Sequence, residues 1–126
     1  MRTLVIVPTY NEMDNLKPLI DAVMGVTPQS VHLMVVDDGS PDGTGQLADS
    51  LAASNPRVQV LHRPKKMGLG TAYVAGFKKA LSQGYDAIIE MDADFSHDPK
   101  YLPRMLDLLQ SNDFVIGSRY VSGGGP

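Results

Sequence analysis

The most informative stretch of this chain is AIIEMDAD at residues 87–94, where an apolar run ends in two carboxylates, Asp92 and Asp94. A short apolar run of this kind predicts a buried β-strand. In open α/β sheets, ligands bind beyond the carboxyl ends of the strands. The acidic pair therefore indicates a strand that ends at a binding site.

Asp92 and Asp94 are the candidate metal ligands. Residues i and i+2 of a strand share one face, so both carboxylates reach one cation if the strand geometry continues through them. Oxygen ligands suit Mg²⁺ or Mn²⁺, and Mg²⁺ is usually held by one or two carboxylates together with substrate phosphates. The pair predicts a metal–diphosphate site and hence a nucleotide-activated donor. The alternative is an ordinary acidic loop after a strand.

Apolar runs alternate with helical patterns along the rest of the chain. We expect helices capped by Asp14 or Asn11 at the first and by Asp98 at the last. Strands separated by helices of about 10–15 residues predict βαβ units and a mainly parallel sheet with helices on both faces, the α/β class. The expected strands are 4–7, 33–36, 58–61, 87–91 and 114–117, and the expected helices are 14–26, 45–54, 71–83 and 100–110.

Composition narrows the function classes. The chain has 126 residues, which fits one domain, and its net charge of −3 gives no support for a nucleic-acid partner. It has no cysteine, which excludes disulfides and zinc–thiolate sites. No run approaches the roughly 18 apolar residues of a membrane span. The glycine-rich stretch at 122–126 follows a predicted strand directly, so we expect a longer protein to continue there.

The loop after the first strand, 8–12, has no G-x-G-x-x-G, which argues against a dinucleotide-binding fold. In this loop Tyr10 could pack against a base or ribose, and Glu12 could accept ribose hydroxyls. The alternative is a turn in which Asn11 caps the helix.

The loop after the second strand begins with Asp37 and Asp38. A carboxylate here can accept a hydrogen bond from an imino N–H of guanine or uracil. Ser40, Asp42 and Thr44 are expected to form an Asx turn and to cap the second helix whatever the first pair does.

Basic residues follow the third and fifth strands. Arg63, Lys65 and Lys66 either meet phosphates or form a solvated loop, and the two readings stay open. Gly68-Leu69-Gly70 predicts a tight turn that passes near the site. Arg119 is the candidate anion contact. The alternative is a surface ion pair with Asp92 or Asp94.

Four segments together resemble those of the dolichol- or polyprenol-phosphate mannose synthases, which are inverting family-2 glycosyltransferases with the GT-A fold. The segments are PTYNE at 8–12, VDDGSPDGT at 36–44, GLGTAY at 68–73 and MDAD-x-SH-x-P at 91–99. They occur in the family's order and spacing. The resemblance implies a Rossmann-like GT-A fold and one domain at 1–126, the nucleotide-donor-binding portion, incomplete at its C-terminus.

The resemblance also implies residue roles. Asp94 would be the main metal ligand, with Asp92 helping, and Arg119 would lie near the phosphates. Some relatives have a glutamine ligand where this chain has Ser96. The residues expected around the guanosine and diphosphate are Pro8, Tyr10, Glu12, Val36, Asp38, Asp92, Ala93 and Asp94, and Asp37 joins them as a candidate from its position after the second strand.

The implied activity is transfer of mannose from GDP-mannose to dolichyl or polyprenyl phosphate, with inversion and with Mg²⁺ or Mn²⁺. The acceptor lies in a membrane, so the expected location is peripheral, at the cytoplasmic face. Two alternatives stay open. One is another family-2 transferase, such as a UDP-glucose:polyprenyl-phosphate glucosyltransferase, and the other is a truncated, non-catalytic nucleotide-binding module. The sequence leaves the oligomeric state undetermined.

Overall fold

The computed structural model describes residues 2–94 and 98–111. Strands and helices alternate in it as expected, and the expected strand at 114–117 lies outside the described residues. The strands are β1 Thr3–Thr9, β2 Val31–Asp37, β3 Val58–His62 and β4 Ala87–Glu90. The helices are α1 Leu16–Val26, α2 Thr44–Ser54, α3 Leu69–Ser82 and α4 Leu102–Ser111, with a 3₁₀ turn at Pro99–Tyr101 before α4.

The four strands form one parallel sheet in the order β3-β2-β1-β4. Val5 in β1 lies opposite Leu33 in β2 and Ile89 in β4. The chain moves outward from β1 through β2 to β3 and then returns to the other side of β1. Such a reversal opens a crevice at the carboxyl ends of the two strands that flank it, here β1 and β4.

Helices cover both faces of the sheet, as predicted. Side chains alternate along β1, so Val5 and Val7 pack with α1, α2 and α4, whereas Leu4 and Ile6 pack with α3. All four side chains are fully buried. Burying one such side chain stabilises the fold by roughly 1.5–3 kcal/mol, which explains why these strands are apolar on both faces.

Helix α3 lies against β1 with almost no space between them. A Cβ atom added at Gly76 would lie 2.8 Å from Cγ2 of Ile6. Any larger residue at position 76 would therefore push α3 away from the sheet. Gly76 thus sets the distance between α3 and the sheet. It thereby also sets the position of Tyr73, which lies one helical turn earlier.

Side-chain capping follows the prediction near α4 and not at α1. Asp98 accepts a hydrogen bond from the backbone N–H of Lys100 at 3.0 Å, so it caps the 3₁₀ turn Pro99–Tyr101, and α4 itself begins at Leu102, later than predicted. The predicted cap of α1 by Asp14 or Asn11 is wrong, because α1 begins at Leu16 without a side-chain cap bond. None of the helices that the structure describes is both long and apolar enough to cross a membrane.

Candidate functional site

A cavity of about 260 Å³ lies at the carboxyl edge of the sheet, where β1 and β4 end. Small-molecule sites usually measure about 300–1,000 Å³, so the described residues enclose room for part of a nucleotide-sized ligand. Acidic, aromatic and basic side chains share its wall. Its lining residues are Pro8, Thr9, Tyr10, Glu12, Asp38, Lys66, Gly68, Leu69, Ala72, Asp92, Ala93 and Asp94.

The loop after β1 is held in place by the first acidic segment, which we define as residues 37–44. Consecutive backbone N–H groups of residues 11–13 donate to side-chain oxygens of Ser40, Thr44 and Asp42, at 3.0, 3.0 and 3.3 Å respectively. Asn11 takes a φ of +56° to reach this arrangement. The polar residues of the segment therefore position the part of the cavity wall that carries Tyr10 and Glu12.

The Asx turn expected in this segment is present, whereas the expected side-chain cap of α2 is not. Asp42 accepts a hydrogen bond from the backbone N–H of Thr44 at 3.0 Å, which is an Asx turn. The hydrogen bond from the Thr44 hydroxyl holds the pKa of the Asp42 carboxyl below its ordinary value. The residue before α2 is Gly43, with φ +97°, and it has no side chain to cap the helix.

Asp37 is buried and bound to the protein on both of its oxygens. Its Oδ1 accepts hydrogen bonds from the hydroxyls of Thr9 at 2.7 Å and Ser40 at 2.6 Å. Its Oδ2 accepts the backbone N–H of Ser40 at 3.1 Å. Asp37 does not line the cavity, and neither does Val36, which is fully buried in the core under α3.

Asp38 lines the cavity and is paired with Arg63. Nε and Nη2 of Arg63 donate to the two carboxylate oxygens at 2.6 and 2.8 Å, a bidentate pair. The side chains are only 11% and 7% exposed. This hydrogen bonding raises the pKa of the Arg63 guanidinium above its ordinary value. Arg63 also donates to the Thr71 hydroxyl at 3.1 Å, so the pair joins the edge of β2 to the start of α3.

The second acidic segment, residues 92–94, follows β4 and lines the same cavity as Asp38. β4 ends at Glu90, one residue earlier than predicted, and residues 93–94 form a turn. Strand alternation therefore does not explain why Asp92 and Asp94 both face the cavity; the turn brings them there. Asp92 is half-buried and Asp94 is exposed.

Tyr73 of α3 contacts the second acidic segment directly. Its phenolic hydroxyl donates to Oδ1 of Asp92 at 3.0 Å. Burial, followed by the nearby Asp92 carboxylate, raises the pKa of the Tyr73 phenol well above its ordinary value. The phenol therefore stays protonated, and remains a donor, throughout the neutral pH range.

The donor set at this edge fits a hard divalent cation with partial protein ligation. No group of three or more His, Cys, Asp or Glu side chains within 2–94 and 98–111 is arranged to hold a metal ion. Asp92 and Asp94 do share one cavity wall. Two carboxylates, completed by phosphate oxygens and water, are the usual ligands of Mg²⁺ in nucleotide sites.

Lys66 brings positive charge to the mouth of the cavity. Its ammonium lies 4.8 Å from the ring centroid of Tyr10, within the range of a cation–π interaction. Lys66 lines the cavity, whereas Lys65 is exposed and does not. Of the three basic residues in this loop, Arg63 is committed to Asp38 and Lys66 is placed to meet an anion.

Seven of the residues expected around the guanosine and diphosphate meet at this cavity: Pro8, Tyr10, Glu12, Asp38, Asp92, Ala93 and Asp94. Lys66, a candidate for the phosphates, also lines it. Arg119 and Ser96 lie outside the described residues. The tight turn predicted at 68–70 is wrong, because α3 begins at Leu69, although Gly68 and Leu69 do line the cavity. Sequence reasoning assigned no role to Tyr73, Thr9 or Ala72. Tyr73 could have been found as the polar member of the inward helical face that it shares with Ala72, Gly76 and Ala80.

Comparison with known proteins agrees with this architecture. The chain is 58% identical over 125 residues to the polyprenol monophosphomannose synthase of Mycolicibacterium smegmatis, covering 98% of this chain and 47% of that protein. It is 53% identical over 124 residues to the undecaprenyl-phosphate mannosyltransferase of Micrococcus luteus, covering 98% and 51%. The chain thus spans about half the length of these relatives.

A solved structure shares the fold. The mannosyltransferase PcManGT from Pyrobaculum calidifontis, in complex with GDP-Man and Mn²⁺, superposes with a TM-score of 0.66 at 26% identity, covering 74% of this chain and 27% of that one. This agreement confirms the expected GT-A fold. Residues 4–126 match the family described as Glycosyl transferase family 2. A match of that extent means that the chain belongs to glycosyl transferase family 2.

Proposed function

We propose that residues 1–126 form the donor-binding portion of a polyprenyl-phosphate mannosyltransferase, and that this portion is not the whole domain. The enzyme transfers mannose from GDP-mannose to a dolichyl or polyprenyl phosphate. One observation carries the proposal: Asp38 follows β2, the pair Asp92 and Asp94 follows β4 on the other side of β1, and all three carboxylates line one cavity at the carboxyl edge of the sheet. A base-reading carboxylate and a diphosphate-facing pair are what a nucleotide-sugar donor requires.

The base end of the donor is assigned to Asp38 and the loop after β1. Arg63 fixes the plane of the Asp38 carboxylate, which then accepts an imino N–H of the base. Tyr10 and Glu12 flank it on the same wall, for the ring faces and the ribose hydroxyls. The GDP-Man bound to the mannosyltransferase PcManGT favours guanine over uracil.

The diphosphate end is assigned to the second acidic segment. Asp92 and Asp94 would hold Mg²⁺ or Mn²⁺, and this ion, when bound, neutralises charge on the departing diphosphate. Lys66, and Arg119 beyond the described residues, add positive charge toward the phosphates. The site thereby stabilises the charge that develops on the leaving group.

The reaction needs no strong base from this chain, because a polyprenyl phosphate is already anionic near neutral pH. Its oxygen forms a bond to the anomeric carbon of mannose while the bond from that carbon to the diphosphate oxygen breaks. Attack from the face opposite the leaving group inverts the anomeric centre. The work of the site is positioning and charge stabilisation. Because the acceptor lies in a membrane, we propose that the enzyme is a peripheral protein at the cytoplasmic face.

Calorimetric titration tests the donor assignment. GDP-mannose, UDP-glucose and GDP are titrated into the protein with Mn²⁺ and then with EDTA, alongside Asp94→Ala and the control Asp21→Ala, an exposed carboxylate on α1. We expect Mn²⁺-dependent binding of GDP-mannose that Asp94→Ala abolishes and Asp21→Ala leaves unchanged. Preference for UDP-glucose would support the glucosyltransferase alternative instead.

A transfer assay tests the activity. The whole protein is incubated with GDP-mannose and a short-chain polyprenyl phosphate, and the stereochemistry of the product is read by NMR. We expect an inverted polyprenyl-phosphate mannose. Donor binding without any transfer would identify a nucleotide-binding module and overturn the enzymatic assignment.

A further inference from the structure

We propose that Tyr73 is a positioning residue of the donor site, whose phenolic hydroxyl holds the Asp92 carboxylate in the orientation that meets the metal–diphosphate group. The inference rests on the proposed function, since it takes from there the role of Asp92. Tyr73 itself does not line the cavity and is not a catalytic residue. It acts on the donor through Asp92.

Asp92 lies just beyond β4, between a fixed backbone and a turn. β4 ends at Glu90, the backbone N–H of Met91 donates to the carbonyl oxygen of Ile6 at 3.0 Å, and the turn at 93–94 follows Asp92 directly. The orientation of a carboxylate at such a position depends on what its oxygens accept. The 3.0 Å hydrogen bond from Tyr73 to Oδ1 fixes the plane of the carboxylate, and with it the direction of Oδ2.

The Tyr73 side chain, which donates this hydrogen bond, is held rigidly. Tyr73 is only 8% exposed, and its ring packs in the core cluster between α3 and the sheet. Three residues later, Gly76 brings α3 into contact with Ile6. The hydroxyl is therefore placed by the packing of α3 on β1, a strand with six of its seven residues buried, and not by the loop that it holds.

Metal-binding carboxylates are oriented by hydrogen bonds from groups that do not touch the metal, and removing such a group typically costs about 10- to 100-fold in metal affinity or activity. Tyr73 donates a hydrogen bond of this kind to Asp92, one member of the acidic pair. A phenol suits the task because it donates one hydrogen bond and brings no charge.

Tyr73→Phe is the direct test, because it removes the hydroxyl and keeps the ring. Mn²⁺ binding is measured by electron paramagnetic resonance in the whole protein, with and without GDP, and GDP binding is measured separately in EDTA. We expect about 10-fold weaker Mn²⁺ binding, with metal-free GDP affinity unchanged and the melting temperature nearly unchanged. A purely structural tyrosine would instead lower metal-free and metal-dependent binding together, and that result would overturn the proposal.

Tyr85→Phe is the matched control. Tyr85 packs against the same core cluster, and its hydroxyl bonds to Nδ1 of His32 at 2.7 Å, at the opposite edge of the sheet. Loss of this hydroxyl should leave Mn²⁺ binding unchanged. If Tyr85→Phe and Tyr73→Phe weaken Mn²⁺ binding equally, the effect is general loosening of the α3 side and the proposal fails.

A double-mutant cycle ties the effect to its partner. In an Asp92→Asn background, Tyr73→Phe should cause little further loss, because both substitutions break the same hydrogen bond. An undiminished loss in that background would overturn the inference.

The Mn²⁺ arm without nucleotide separates this inference from the proposed function. If wild-type protein binds Mn²⁺ and Tyr73→Phe weakens it, the inference stands even when GDP-mannose proves not to be the donor. If GDP-mannose binds and is transferred while Tyr73→Phe changes nothing, the proposed function stands and the inference falls. Absence of any Mn²⁺ binding by the wild type overturns the inference.

Discussion

Two acidic segments follow strands at the same edge of this sheet, but their carboxylates differ in burial and in hydrogen bonding. In residues 37–44, Asp37 is buried and accepts hydrogen bonds only from the protein, and the polar residues after it hold the neighbouring loop. In residues 92–94, Asp92 is half-buried against Tyr73, Asp94 is exposed, and both face the cavity. Burial and bonding, more than composition, separate the carboxylate that holds the fold from those that face the cavity.

Asp38 belongs to both groups. It is buried and paired like Asp37, yet it lines the cavity like Asp92. Its bidentate partner Arg63 compensates the charge of the carboxylate. Removing one member of such a pair leaves a buried charge without a partner, so the largest loss of stability is expected there.

Arg63→Ala should destabilise the protein most, by about 3–5 kcal/mol, because it leaves the Asp38 carboxylate buried without its counter-charge. Urea unfolding followed by circular dichroism measures the effect. Lys17→Ala is the control: the Lys17–Asp21 pair has a 2.6 Å contact but is 59% and 62% exposed, and its loss should cost about 0.5 kcal/mol or less.

Adding Asp38→Asn to Arg63→Ala should restore part of the lost stability, since it removes the unpaired charge. A double variant no more stable than Arg63→Ala would show that lost packing, and not the buried charge, is the cause.

Asp37→Asn should cost about 2 kcal/mol, since hydrogen bonds to a charged group contribute roughly 1.5–3 kcal/mol and the amide can accept on one side only. Asp94→Asn, at an exposed position, should change the free energy of unfolding by no more than about 0.5 kcal/mol while weakening Mn²⁺-dependent nucleotide binding. Urea unfolding measures the change in the free energy of unfolding for both variants. Equal destabilisation by the two variants would break the distinction between the segments.

The smallest effect is expected at Asp42, whose pKa is lowered first of all by the Thr44 hydroxyl. The folded state then binds its proton less readily than the unfolded state. The resulting stabilisation is present above the unfolded pKa and is lost as the pH falls through the folded pKa. NMR titration should find the Asp42 pKa below its ordinary value and nearer to it in Thr44→Val. Thr44→Ser keeps the hydroxyl and should leave the pKa lowered; a rise there would contradict the assignment.

Much of the fold could be predicted because it depends on local pattern. Buried parallel strands such as Leu4–Val7 must be apolar on both faces, and their length and spacing indicate the βαβ order directly. The cap at Asp98 was also predictable, since it involves only its own helix. The start of α1 was not, because Asn11 is drawn to Ser40, which lies 29 residues away in sequence.

The sequence predicts that acidic and aromatic side chains meet at one edge of an α/β sheet, because these residues follow the predicted strands. Which of them face the cavity depends on contacts between elements that are distant in the sequence. Asp37 turns inward to Thr9, Asp38 is held by Arg63, and Asp92 is held by Tyr73. Each of those partners lies on another element of the fold, and the distance between elements is set by packing, which neighbouring residues in the sequence do not encode.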